Sequence, residues 1–202
     1  MSQEKTKKTL REKRAEKRSE EILAAAFYFF ATKGYDQTSM EEIAEAALLT
    51  RAGLYKYFSD KPSLLGELRR KKVDELKTRL EQHLTELSSF QEVLHYLIKE
   101  VLIFQRENQG AFRLMFSAGS LVELKKERAF EPLGDLLRTL LGQAQRQGHI
   151  SQELTIDELI PFIASIFFKN DVSINLLGHE PETSPERDLW LIERLLLKGI
   201  SP

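Results

Sequence analysis

Apolar residues recur three and four apart along almost the whole chain. That is the period of a helix with one buried face, and no long stretch alternates as a half-buried strand does. The first run, from about Arg18 to Lys33, sets Ile22, Ala26, Phe29 and Phe30 on one face and stops at Gly34. Ser39 with Glu42 is a capping box for a second helix, whose inner face is Met40, Ile43, Ala44 and Ala47. Thr50 caps a third helix. Asp60 caps a fourth, which tolerates Pro62 in its first turn and runs through Arg69-Arg70-Lys71-Lys72 toward about Leu87.

Further on, Ser89 with Glu92 opens a helix carrying Phe90, Val93, Leu94, Leu97, Ile98 and Val101. A run from Leu133 to Ala144 ends at Gly148, with Pro132 either starting it or kinking a longer helix from near Leu121. Thr155 with Glu158 opens a helix toward Leu177 that contains Pro161, and Ser184-Pro185 starts a last one ending at Gly199. The pattern predicts an all-α chain without internal repeats.

Composition narrows the functional classes. At 202 residues the chain suits one sizeable core, or a small module joined to a larger one. It has no Cys, which excludes disulfides, thiolate zinc sites and cysteine nucleophiles. The N-terminus is charged, and no run approaches the roughly 18 apolar residues of a membrane span. A soluble, cytoplasmic protein with no membrane partner is expected. The net charge of −1 conceals a division. Residues 1–72 hold sixteen Lys/Arg against eleven Asp/Glu, a net of +5, and the remainder carries −6. A basic front suits a molecule that points one end at phosphates. The first 18 residues alone contain eight Lys/Arg, and they read either as a solvated tail or as an arm reaching phosphates or a minor groove.

Residues 39–58 carry the most specific chemistry. Two short helices across a tight turn form a helix-turn-helix, with Ile43, Ala44, Ala47, Leu49, Leu54 and Phe58 facing inward. The outward residues of the second helix suit a DNA groove. Arg51 can donate two parallel hydrogen bonds to a guanine edge, and Lys56 can reach base acceptors or phosphate. Tyr55 and Tyr57 offer hydroxyls to phosphate and flat faces to sugar or a thymine methyl, while Ala52 and Gly53 keep the helix slim. Ser39 and Thr50 stand at the helix N-termini that meet a backbone, and Lys61 is a phosphate anchor just past the turn. A plain helical hairpin covered by Tyr and Lys is the alternative reading.

The stretch resembles the TetR family of bacterial transcriptional regulators. Phe30-Ala31-Thr32-Lys33-Gly34-Tyr35, Thr38-Ser39-Met40-Glu41-Glu42-Ile43-Ala44 and Leu54-Tyr55-Lys56-Tyr57-Phe58 match its pattern at the right spacing, and Ser59 to Leu65 resembles the start of its fourth helix. The resemblance covers about residues 20–68. It implies an N-terminal three-helix helix-turn-helix module followed by a larger helical ligand-binding and dimerisation domain. Leu48 departs from the pattern, because the family most often has Gly in this turn, where a left-handed backbone costs another residue roughly 1 kcal/mol or more. Gly53 stands where the family commonly has Thr or another small residue.

The second half should then supply pairing and sensing. The last helix, with Leu189, Trp190, Ile192 and Leu196, is apolar nearly all round, and the helix before it offers Ala164, Phe168 and Val172. These seven are the candidate homodimer interface, the alternative being an internal core helix. Eight of twelve Phe lie from Phe90 onward, among them Phe104, Phe112, Phe116, Phe162 and Phe167. With His95, Tyr96, Arg113 and Asn170 among them, Phe112, Phe116 and Phe167 form a candidate apolar effector site, although such residues also serve as plain core. His83, His95, His149 and His179 lack metal-ligand spacing, and no cofactor or catalytic motif occurs, so neither a metal, a cofactor nor an enzyme is expected.

The reading is a homodimeric, ligand-responsive DNA-binding regulator, specifically a repressor released from a palindromic operator by a largely apolar effector. Residues 1–17 would be a flexible basic arm, 18–62 the DNA-binding domain, and 63–202 the effector-binding and dimerisation domain. The competing readings are a helical ligand-binding or scaffold protein without operator binding, for which Leu48 is the best support, and an all-α enzyme.

Overall fold

The computed structural model describes residues 9–108, 128, 130–166 and 184–200. Eight α-helices occur among them: α1 Leu10–Thr32, α2 Met40–Ala46, α3 Arg51–Leu54, α4 Lys61–Glu81, α5 Phe90–Glu107, α6 Glu131–Arg146, α7 Ile156–Ile166 and α8 Pro185–Ile200. A short 3-10 turn, Leu84–Glu86, lies between α4 and α5. The described residues contain no strand. None of these helices is long and apolar enough to cross a membrane.

Two compact units meet in the sequence at Arg69 and Arg70, so α4 gives its first half to one and its second half to the other. The first unit is built on a core of Ile22, Leu23, Ala26 and Phe30 from α1, with Met40, Ile43 and Ala44 from α2. Leu54 and Phe58 from around α3 join them, as do Leu64, Leu65 and Leu68 from α4. The inner faces expected of α1 and α2 are therefore the observed ones, except that Phe29 is half-buried and Leu23 takes a core place.

In the second unit α5 contributes Leu94, Ile98 and Leu102, α6 Leu141 and Ala144, α7 Leu159 and Ile163, and α8 Ile192 and Leu196. The capping boxes at Ser39–Glu42 and Ser89–Glu92 are formed, and Thr155 and Glu158 make the corresponding reciprocal bonds at α7. Pro132 lies in the first turn of α6, where its missing N–H costs nothing, so it starts the helix rather than kinking a longer one.

Two helix bounds differ from the sequence expectation, and one basic run is divided by the fold. Helix α1 begins at Leu10, not near Arg18, because Thr9 and Glu12 form a further capping box. The run Arg69 to Lys72 is not one exposed patch: Arg69 is buried, Arg70 pairs with Asp74, and Lys72 pairs with Glu75 and also bonds Asn108. Helix α4 ends at Glu81, short of Leu87.

The turn after α2 settles how Leu48 is accommodated. The Leu48 N–H donates to the Glu45 carbonyl at 3.0 Å, and the Leu49 N–H to the Ala44 carbonyl at 2.8 Å. This is the Schellman pattern, which needs a left-handed residue just after the helix. Leu48 occupies that position with φ 55°. The same pattern ends α6, through Gly148 to Gln145 and His149 to Ala144, and there the left-handed residue is Gly148. Leu48 accepts the backbone strain, and its side chain recovers little, being 88% exposed. Leu48→Gly is expected to raise stability by about 1 kcal/mol, as the relief of left-handed strain outweighs the added freedom of the unfolded chain. Leu48→Ala keeps the strain and should change it little. Urea unfolding of the three proteins checks both.

Candidate nucleic-acid interface

The site is a four-residue helix that could not persist alone, since isolated helices below about 12 residues are marginal in water. Three things hold α3. Thr50 Oγ1 accepts the Gly53 N–H at 3.1 Å, closing its N-terminus. Leu54 and Phe58 are buried in the core of the first unit. Beyond Leu54, turn hydrogen bonds from Tyr55, Lys56, Tyr57 and Phe58 carry the coil onward.

Burying Leu54 and Phe58 turns the other residues out. Thr50, Arg51, Ala52, Tyr55, Lys56 and Tyr57 are all exposed. Arg51 does not swing freely: Nε lies 2.8 Å from Glu41 Oε1, and the guanidinium sits 5.6 Å from the centre of the Tyr55 ring. The Tyr55 hydroxyl, and then the Glu41 carboxylate, raise its pKa above the usual arginine value. The cation is thus tethered on the exposed face between Glu41 and Tyr55.

Three of the expected contact residues have structural work within the fold. Gly53 is half-buried, and a Cβ there would stand 3.3 Å from Thr50 Oγ1, so glycine protects the cap. Ser39 is half-buried, its hydroxyl accepting the Glu42 N–H at 3.2 Å and facing Glu42 Oε2 at 3.0 Å. Lys61 differs most from the expectation of a free anchor. Its ammonium donates to the carbonyls of Tyr35 at 2.9 Å and Thr38 at 3.0 Å, with Asp36 at 3.4 Å, and lies over the Tyr35 ring. All three N–H groups have acceptors, so Lys61 ties α4 to the loop before α2.

One residue absent from the expected set also shapes the module. Arg18 Nη1 reaches the Ala47 carbonyl at 3.4 Å, at the C-terminal end of α2, and pairs with Glu21 at 2.7 Å. Helix C-termini favour such a cation. Its spacing from the turn, 29 residues away, hides this in the sequence.

In the second unit, the expected effector residues Phe112, Arg113, Phe116, Phe167 and Asn170 lie outside the described residues, as do Phe168 and Val172 of the expected interface. His95 is exposed, with Nδ1 2.7 Å from Glu193 Oε1. The half-buried Tyr96 donates its hydroxyl to the Arg79 carbonyl at 2.5 Å. Both therefore have partners in the protein itself. Phe104 is core and Phe162 is exposed.

The expected pairing residues divide. Ile192 and Leu196 are buried in the unit's own core, with Leu189 packed beside them. They recur at helical spacing, so one face of α8 is internal. Trp190, Leu191 and Leu195 are exposed on the other, with Arg187 and Arg194 over the Trp190 ring. Ala164 is half-buried on α7. Among the described residues no group of three His, Asp or Glu could hold a metal ion.

Residues 22–68 match a family model described as bacterial regulatory proteins, tetR family. The chain is 27% identical to the probable acrEF/envCD operon repressor of Escherichia coli K12 over 163 residues, covering 75% of this chain and 73% of that one. It is 26% identical over 173 residues to the HTH-type transcriptional regulator YdeS of Bacillus subtilis, which is itself uncharacterized, with 83% of each chain covered. The fold is similar to the solved structure of FadR from Bacillus subtilis, with a TM-score of 0.78 at 19% identity over 90% of this chain and 98% of that one. FadR from Bacillus halodurans gives 0.77 at 20%, over 90% and 95%.

The cap that starts α2 should make the module acid-sensitive. Hydrogen bonds from Lys33, then from the Ser39 backbone and hydroxyl, lower the Glu42 pKa from 4.5 to about 2. Its contribution to stability is full above pH 4.5 and is lost as pH falls toward 2, because the unfolded chain takes up the proton first. Glu42→Gln lacks this dependence. The stability difference between the two proteins, followed by urea midpoints, should shrink steadily across that interval, and a constant difference would count against the assignment.

Proposed function

This chain belongs to the TetR family of bacterial regulatory proteins, DNA-binding regulators of transcription rather than enzymes, and from that premise we propose that it is an effector-released repressor. It acts in the cytoplasm as a homodimer on a palindromic operator. Residues 18–62 read the DNA and residues 63–202 carry pairing and sensing, with the basic 1–17 segment as an additional arm. The observation that carries the reading is the exposed set Arg51, Tyr55, Lys56 and Tyr57 on α3 and the turns that continue it, anchored by Leu54 and Phe58 in the core. A rigidly mounted set of this kind suits a major groove, with Arg51 on a guanine edge, Lys56 and the tyrosines on bases and backbone, and Ala52 allowing close approach. The scaffold reading rested on Leu48, and it loses that support because Leu48 adopts the left-handed turn that places α3.

Pairing through the outer face of α8 fits the exposure of Trp190, Leu191 and Leu195, which one subunit leaves uncovered by its own described residues. A second copy offering the same stripe would make a two-fold, self-complementary contact. Two reading heads then meet two half-sites one helical turn apart.

For the effector, we propose a long-chain acyl thioester of coenzyme A, an amphipathic molecule with an apolar acyl chain and a large polar, anionic end. The structure of Bacillus subtilis FadR, similar in fold, is of a complex with stearoyl-CoA. Helix α4 belongs to both units of this chain, so an effector that favours one position of α4 would bias the spacing of the heads.

Two outcomes follow. Arg51→Ala should cost about 1–3 kcal/mol of discrimination at one base pair of the operator, while the Tyr55→Ala, Lys56→Ala double variant abolishes sequence preference; both keep the wild-type urea midpoint. Competition binding against single-base operator variants measures this, and unchanged preferences would refute the assignment of these residues. Saturating stearoyl-CoA should lower operator affinity at least tenfold, about 1.4 kcal/mol of coupling. Equal affinity with and without it excludes this effector class.

A further inference from the structure

The N-terminal end of α1 has no evident role in the core. Every side chain from Leu10 to Lys17 is exposed, and the first buried residue of the helix is Ile22. Two turns of helix therefore project without apolar support, held by the Thr9–Glu12 capping box. They form one wall of an open cleft of about 870 Å³, lined by Arg11, Arg14, Lys17 and Arg18 on α1 and by Lys56 and Tyr57 on the other side.

Charge is sorted across this helix. The cleft-lining face carries four cations, whereas Glu12, Glu16 and Glu20 lie off it, and Glu21 is the one acid at the cleft, already paired with Arg18. Among the described residues no carboxylate pairs with Arg11, Arg14, Lys17 or Lys56, although four acids lie on α1 itself. Arg18 is pinned to the end of α2, leaving these four as the available cations. Arg11, Arg14 and Lys17 span about 9 Å at 1.5 Å per residue, a length over which one strand of duplex DNA presents about three phosphate charges.

We propose that this cleft is a phosphate-binding site for the DNA backbone, in which Arg11, Arg14 and Lys17 grip a strand flanking the bases met by α3. It rests on the reading of α3 as the DNA-reading helix, since Lys56 and Tyr57 form the wall shared by the two surfaces. The cleft adds affinity without sequence preference, because phosphates are the same at every base pair.

The test uses the full-length protein, a duplex selected by the wild-type protein from a random pool, and a scrambled duplex of equal length. Each phosphate contact contributes about 0.9 to the slope of log affinity against log salt. The triple variant R11Q, R14Q, K17Q should therefore lose about 2.7 from the slope on both duplexes, with the ratio of the two affinities unchanged. Gln keeps the helix propensity of these positions, and circular dichroism checks helicity. K56Q, off α1, should lose about 0.9. Neutralising three cations of the second unit, by K99Q, R146Q and K198Q, should leave the slope nearly as it was. A triple-variant slope within about 0.5 of wild type overturns the proposal, as does a loss confined to the selected duplex. Failure of the wild-type protein to enrich any sequence would instead sink the regulator reading, and the slope on the scrambled duplex would still judge the cleft.

Discussion

Burial of Leu54 and Phe58 is the constraint on which the exposed surface of α3 and the turns beyond it depends. A four-residue helix has no stability of its own. Helix α3 takes its position from two apolar side chains inserted among Ile22, Ala26, Phe30, Ile43 and Ala44. Fixing those two fixes the rest by helical geometry, because whatever lies opposite them must face solvent. Thr50 closes one end, and Gly53 leaves room for that closure. The residues that would touch DNA are not held by one another. They inherit their placement from the core beneath them.

Much of this was legible in the amino-acid order. Capping boxes at Ser39–Glu42 and Ser89–Glu92 are local, three residues apart, and they form where the pattern puts them. The inner faces of α1 and α2 follow from apolar spacing, apart from Leu23 taking the core place expected of Phe29. Thr9–Glu12 obeys the same local rule, yet the charge around it made the segment look like a tail. Helix α1 there is stabilised by capping and by its own backbone, and apolar periodicity gives no signal of either.

What was not legible depends on partners distant in sequence. The three carbonyls that receive Lys61 lie 23 to 26 residues before it, so sequence spacing gives no sign that a lysine just past the helix-turn-helix is held inside the fold. Ile192 and Leu196 looked as suited to a partner subunit as to their own core, because apolar character alone does not name the face. Only the packing of α8 with α5, α6 and α7 separates that inner stripe from Trp190, Leu191 and Leu195. Arg18 belongs in sequence to a basic run, whereas its position at the Ala47 carbonyl makes it a joint between α1 and α2.

The two unsupported turns of α1 also have a dynamic meaning. With no buried side chain before Ile22, their backbone hydrogen bonds open without disturbing the core. Local opening of that kind has a free energy near zero, far below that of global unfolding. The amides of Leu10 to Lys17 should thus exchange with solvent quickly while those near Ile22 and Ala26 are protected. A ligand that orders such a segment must offset its lost freedom at the moment of contact, so each charge there contributes less to affinity than the same charge on a rigid frame. The softness of this end sets how far the protein can adjust to the local shape of whatever lies along it.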